Sequence, residues 1–170
     1  MIVREASESD FPAILAIYNE VIATSTAIYA DNPTSLDERL TWFRARRSND
    51  QPVLVASDVA DIVGFASFGD FRAWPGYRYT VEHSVHVRQD RRGHGVGRTL
   101  MEALIPQAAA RGKHVMIAGV DAANQPSLRF HGRLGFTPVA HFREVGFKFG
   151  RWLDLVFLQR WLEAPGAPRA

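Results

Sequence analysis

The residues with the most chemical content form one segment, Val85-His86-Val87-Arg88-Gln89-Asp90-Arg91-Arg92-Gly93-His94-Gly95-Val96-Gly97-Arg98-Thr99-Leu100. An apolar strand runs into Arg92-Gly93-His94-Gly95-Val96-Gly97 and then into a helix. Glycines at alternating positions expose consecutive backbone N–H groups. The helix start adds its own unsatisfied N–H groups and a partial positive charge. Together these make an anion cradle suited to a phosphate or pyrophosphate. Arg91, Arg92 and Arg98 raise the local positive potential. Two other phosphate loops fail on spacing. A dinucleotide fingerprint needs glycine where Arg98 stands, and a P-loop needs Gly-Lys where the chain has Gly97-Arg98. A turn that merely joins strand to helix requires neither the glycines nor the arginines.

The chain around this segment has 170 residues, 46% of them hydrophobic and 22% charged, with no cysteine. That length suits one domain with its own core, and the composition is too apolar for a disordered chain. No apolar run reaches the roughly 18 residues of a membrane helix, and Met1-Ile2-Val3-Arg4-Glu5 lacks a signal-peptide layout. Zero cysteines exclude disulfides, thiolate metal sites and a cysteine nucleophile. A cytoplasmic protein without a membrane partner is the expectation. The net charge is +2, and only Lys113 and Lys148 among the 20 basic residues are lysine. Two readings stand for this arginine excess: genomic codon usage, or guanidinium clamps on carboxylates and phosphates.

The spacing predicts the elements that carry the loop. Ile2–Glu5 reads as an opening strand. After Asp10, Ile14, Ile17, Tyr18, Val21 and Ile22 recur at helical spacing. Ser35 and Glu38 form a capping box opening a second helix with Leu36, Leu40 and Phe43 on its stripe. Residues 52–56 and 62–68 form a hairpin about a turn at 58–61. Residues 71–79 form a loop, aromatic and basic. Val81–Val87 alternates Glu82, Ser84 and His86 against His83, Val85 and Val87. A helix over 97–111, a strand over 114–120 and a helix over 126–134 stopped by Gly135 follow. Strands over 139–145 and 153–161 close the fold, and a Pro/Gly/Ala tail begins at Ala164. Alternating strands and helices imply an α/β or α+β sandwich, a mixed sheet with helices on both faces.

Arg92-x-x-Gly95-x-Gly97 at a strand-to-helix junction resembles the pyrophosphate loop of the GNAT family of N-acetyltransferases. Asn124-x-x-Ser127-x-x-Phe130-His131-x-x-Leu134-Gly135-Phe136 resembles that family's later motif. The resemblance spans residues 2 to 162. It implies a single acetyltransferase domain over residues 1–163, with a disordered tail over 164–170. It also implies a mixed, splayed seven-stranded sheet and acetyl-CoA as acetyl donor. Within the family, Thr80–Val87, the loop from Gly69 to Tyr79 and Lys148-Phe149-Gly150-Arg151-Trp152-Leu153-Asp154 resemble the phosphinothricin and methionine sulfoximine acetyltransferases, which acetylate the α-amine of small amino-acid analogues.

The resemblance implies a role for each matching residue. Backbone groups of Val85, His86 and Val87 would bind the pantetheine arm as an added strand. Gly93, His94, Gly95, Val96, Gly97 and Arg98, with Arg92, would hold the pyrophosphate. Asn124, followed by Ser127, would hydrogen-bond the pantetheine, cap the next helix, or do both. Arg129 and Arg133 share a helix face; one reaches a CoA phosphate, or both are solvated. Acetyl transfer needs an unprotonated amine, so a base is expected, and Glu82 is the candidate. The family often has a tyrosine acid where this chain has His131, which would donate a proton to the thiolate, bind substrate or line the cofactor site. An amino-acid acceptor needs a carboxylate clamp, with Arg72 the first choice and Arg78 the second. Trp74 and Tyr29 would wall the pocket and His83 would face it; Trp74 has dimer packing as its other reading.

No histidine or carboxylate spacing suggests a metal site, and no Gly-x-Ser-x-Gly elbow supports a hydrolase. The alternatives to a small-molecule acetyltransferase are an enzyme for protein or peptide amines and a non-catalytic CoA-binding module. Nucleic acid is not expected, because CoA accounts for the basic loop with fewer assumptions. A homodimer is expected from the resembling subfamily, with Trp74, Trp152 and Trp161 as interface or core.

Overall fold

A computed structural model describes residues 1–59 and 61–162. Residue 60 of the expected turn and the expected tail from Ala164 lie outside the described residues. The chain forms two compact units. One comprises Met1–Phe68 with Ser84–Leu104, the other Gly69–His83 with the chain from Ile105.

The first unit begins with β1 (Ile2–Glu5), antiparallel to β2 (Val53–Asp58), which pairs with β3 (Asp61–Asp70). α1 (Phe11–Thr24) buries Ile14, Ile17, Val21 and Ile22 of the stripe expected from spacing, with Tyr18 half-buried and Phe11 buried besides. Its start is fixed by Asp10, whose carboxylate takes two bonds from Arg4 at 2.7 and 2.8 Å and one from the Ser7 N–H at 2.8 Å. Arg4 beside it holds the Asp10 carboxyl well below its ordinary range. α2 (Leu36–Ser48) opens on the predicted capping box: Glu38 N–H donates to Ser35 Oγ, and Ser35 N–H to the Glu38 carboxylate. Its buried face differs from the expected apolar stripe. Leu36 is exposed, while Arg39 is buried with its guanidinium 4.0 Å from both the Tyr18 and Trp42 ring centres. Two aromatic faces stabilise a cation that an apolar pattern cannot anticipate.

β4 (Thr80–Val87) passes from the second unit into the first at Ser84. The expected alternation breaks there. Val81 and His83 are buried, and so is His86, which has the opposite parity; Val85 and Val87 are half-buried. α3 (Val96–Ala110) follows. Its start lies close to β3: a Cβ on Gly64 would stand 2.9 Å from the His86 carbonyl oxygen and 3.1 Å from Val96 Cγ1. A backbone oxygen cannot move aside as a flexible side chain can, so Gly64 fixes how near the glycine loop sits to β3.

In the second unit β4 runs parallel to β5 (Val115–Asp121), which is antiparallel to β7 (Arg151–Trp161), itself antiparallel to β6 (Thr137–Lys148). The strands form a mixed seven-stranded sheet ordered β1-β2-β3-β4-β5-β7-β6. α4 (Gln125–Arg133) precedes Gly135, whose φ of +81° ends the helix. β6 outruns its predicted bounds at both ends and carries register shifts between Pro138 and Ala140 and between Phe142 and Gly146. Asp154 pins the second, accepting the Glu144 N–H at 2.9 Å and lying 2.8 Å from His141 Nε2.

Candidate active site

The first unit supplies the anion cradle. Gly93 and Gly95 have φ of +79° and +83°, conformations that only glycine adopts without strain, and open space lies where their side chains would be. Thr99 N–H closes the first helical bond, to the Gly95 carbonyl at 3.0 Å. The N–H groups of Val96, Gly97 and Arg98 precede it and have no carbonyl a turn back. Val96 is buried and anchors the helix start; His94 and Arg98 are exposed.

The arginines do more bracing than expected. Arg91 pairs with Asp58 at 2.8 Å, Arg88 with Asp90 at 2.7 Å and Arg98 with Glu102 at 2.7 Å. Arg92 donates to the Val87 carbonyl at 3.1 Å, tying the loop to the end of β4. The backbone N–H groups are therefore the cradle's main donors. His86 packs between the Tyr18 and Phe65 rings, at 5.8 and 5.2 Å. Burial, with Arg39 and Arg92 adding to it, holds its pKa down to about 4, so it is neutral at pH 7. Tyr29 is in this unit and half exposed.

The second unit brings together Glu82, Arg72 and a group of aromatic rings. Glu82 is partly buried on β4, and desolvation raises its pKa while the Arg72 charge acts in the opposite sense. Arg72 lies over the Phe71 ring at 4.7 Å. Phe71 in turn meets Phe157 at 5.8 Å and Tyr77 at 5.9 Å. Arg78 is turned to its own loop, donating to the Pro75 carbonyl at 3.0 Å and stacking over Tyr79. Of the two expected clamps, Arg72 is thus the one felt at Glu82. Trp74 is 76% exposed.

Asn124 caps α4, its side-chain oxygen accepting the Ser127 N–H at 3.2 Å; that bond leaves its amide NH2 unengaged. Arg129 and Arg133 are exposed on the same helix. His131 is buried among His83 at 5.1 Å and Phe136 at 5.5 Å. Its Nδ1 lies 2.8 Å from the Ser127 carbonyl, which can only accept, so Nδ1 carries the proton. Nε2 is then an acceptor, buried and without a hydrogen-bond partner. Desolvation lowers the His131 pKa, which keeps that neutral form.

Gly119 and Phe157 were not singled out in the sequence. Both sit beside Glu82: a Cβ on Gly119 would lie 3.1 Å from Glu82 Oε1 and 3.3 Å from Phe157 Cε1. A lone glycine within the apolar run of β5 was the available signal. Among the described residues no group of three or more His, Asp and Glu gathers as a metal site, and no helix is long and apolar enough to cross a membrane.

Residues 14–136 match the acetyltransferase (GNAT) family. The chain is 49% identical over 158 residues to an L-methionine sulfoximine/L-methionine sulfone acetyltransferase of Pseudomonas paraeruginosa, covering 92% of each chain. It superposes at a TM-score of 0.94 on a Sinorhizobium meliloti phosphinothricin acetyltransferase in complex with acetyl-CoA, with 33% identity over 99% of this chain and 92% of that one. The same TM-score relates it to a Brucella melitensis ribosomal-protein-alanine N-acetyltransferase, at 43% identity, 95% of this chain and 100% of that one. The chain belongs to the GNAT acetyltransferase family. It is an N-acetyltransferase that uses acetyl-CoA.

Proposed function

We propose that this enzyme acetylates the α-amine of a small free amino acid or analogue of the methionine sulfoximine, methionine sulfone or phosphinothricin type. The observation that carries the proposal is Glu82 with Arg72 acting on it. A free amino acid presents an ammonium and a carboxylate one carbon apart. A half-buried carboxylate meets the first and a guanidinium the second. The names of the Pseudomonas and Sinorhizobium relatives support the same acceptor class. We take residues 1–163 as one functional domain, because the family match runs through both units.

Acetyl-CoA supplies the activated acetyl thioester. The cradle at Gly93–Arg98 binds its pyrophosphate through backbone N–H groups, the backbone of Val85–Val87 lies along its pantetheine arm, and the Asn124 amide donates to that arm. Glu82 takes a proton from the acceptor's ammonium and frees the lone pair for attack. Arg72 orients the acceptor through its carboxylate. His131 has its proton on Nδ1, committed to Ser127, so we assign it to lining the site and the thiolate's proton to solvent. Transfer is direct, and intact mass measured after mixing with acetyl-CoA alone should show no acetylated protein. A stable acetyl adduct that forms product on adding acceptor would contradict it.

The name of the Brucella relative favours a second reading, the α-amine of a protein N-terminus. The nucleophile is the same, but a peptide has an amide where a free amino acid has a carboxylate, and Arg72 would lose its partner. We further propose a homodimer through the β6–β7 face, where Val145, Phe147, Phe149 and Trp152 are all more than half exposed. Light scattering that reports a single chain's mass would rule it out.

A further inference from the structure

β5 ends on Asp121, which is only 4% exposed. A carboxylate taken out of water is costly unless its oxygens are engaged. Oδ1 accepts the Ala123 N–H at 3.0 Å, and the Arg151 guanidinium stands 4.0 Å from Oδ2. The first of these is an Asx-turn, in which a side-chain oxygen holds the backbone two residues on. The Asp121 carbonyl accepts the Asn124 N–H at 2.8 Å, and the Ala122 N–H goes to the Asp154 carbonyl at 3.0 Å. The three N–H groups between β5 and α4 are thus committed, two of them to Asp121.

Asn124 is held from its other side as well. Its side-chain oxygen accepts the Ser127 N–H at 3.2 Å and its carbonyl the Leu128 N–H at 3.0 Å. With the N–H, the carbonyl and Oδ1 engaged, the group left over is the amide NH2, whose direction follows from the turn. Ala122 and Ala123 have no polar side chain with which to hold that turn. A backbone carbonyl at 121 comes with any residue. The bond to the Ala123 N–H needs a short side chain with an oxygen.

We infer that Asp121 is a positioning residue for the acetyl donor: its carboxylate sets the turn that aims the Asn124 amide at the pantetheine arm. It acts through Asn124. This rests on Asn124 donating to that arm.

The test measures dissociation constants by calorimetry for acetyl-CoA and for 3′-phospho-ADP, the half of the cofactor that lacks the pantetheine arm. Asn124→Ser keeps a helix cap and loses the amide donor. It should weaken acetyl-CoA binding about three- to tenfold, the range of one neutral hydrogen bond. Asp121→Ala should weaken it by a similar factor. Combining the two should add no more than about twofold to either, because both remove the same contact. Asp121→Asn keeps an oxygen for the Ala123 N–H and should stay within about twofold of wild type. Every variant should bind 3′-phospho-ADP as wild type does, whereas a general structural defect would weaken both ligands. Wild-type acetyl-CoA binding in Asp121→Ala with weakened binding in Asn124→Ser would overturn the inference and keep the Asn124 contact, as would additive losses in the double variant. A loss in Asp121→Asn as large as that in Asn124→Ser would overturn it even if Asp121→Ala failed to fold. Unchanged acetyl-CoA binding in Asn124→Ser would instead remove the contact, and the inference with it.

Discussion

Glu82→Gln is expected to lower kcat by about 10²- to 10⁴-fold, the range that a positioned base contributes. The amide keeps the shape and a hydrogen bond but cannot take a proton. The acetyl-CoA KM should stay within about twofold, because the cradle and its donors lie on the loop at Gly93–Arg98 and Glu82 is not among them. The pH dependence separates lost chemistry from lost binding. Desolvation raises the Glu82 pKa toward the working range, where a base is most effective. A base works when ionised, so wild-type kcat/KM should fall as pH drops through that pKa. In Glu82→Gln that limb should vanish. Residual activity should then climb with pH as the acceptor's own amine loses its proton. A variant with wild-type turnover at neutral pH would mean that water or the free amine suffices.

Arg72→Ala is expected to raise the acceptor KM by about 10- to 100-fold. This follows from the roughly 1.5–3 kcal/mol carried by a charge-assisted bond to a carboxylate. The acetyl-CoA KM should not change. A second consequence follows from Arg72 acting on Glu82. Its positive charge favours the ionised carboxylate, so removing it raises the Glu82 pKa further. The acidic limb should therefore shift upward in Arg72→Ala. Arg78→Ala is the control, because its guanidinium is held by the Pro75 carbonyl and the Tyr79 ring. If Arg78→Ala raised the acceptor KM and Arg72→Ala did not, the clamp would be Arg78.

Much of this was legible in the residues. The capping box at Ser35 and Glu38, the stripe of α1 and the glycine stop after α4 are local signals, each written within one or two turns of chain. The glycine loop was legible because positive φ at Gly93 and Gly95 admits few other residues. Features that depend on distant neighbours were not. Arg39 entered the core because Tyr18 and Trp42 come from other turns of helix to enclose it. The break in β4's alternation arises where the strand changes unit. The place of Gly119 beside Glu82 and Phe157 exists only through the register that sets those two residues on either side of it. The tautomer of His131 was likewise invisible until the Ser127 carbonyl was found one turn back on α4.

The most direct test of the amino-acid acceptor is CoA release from acetyl-CoA, measured with methionine sulfone, methionine sulfoximine and phosphinothricin beside methionine sulfone amide and an alanine-first peptide. The amide and the peptide keep the α-amine and lose the carboxylate. The Glu82–Arg72 arrangement predicts turnover of the free acids and a loss of at least about tenfold in kcat/KM for the two neutral acceptors. Equal or better turnover of the peptide would contradict it and give the enzyme a protein N-terminus as its acceptor.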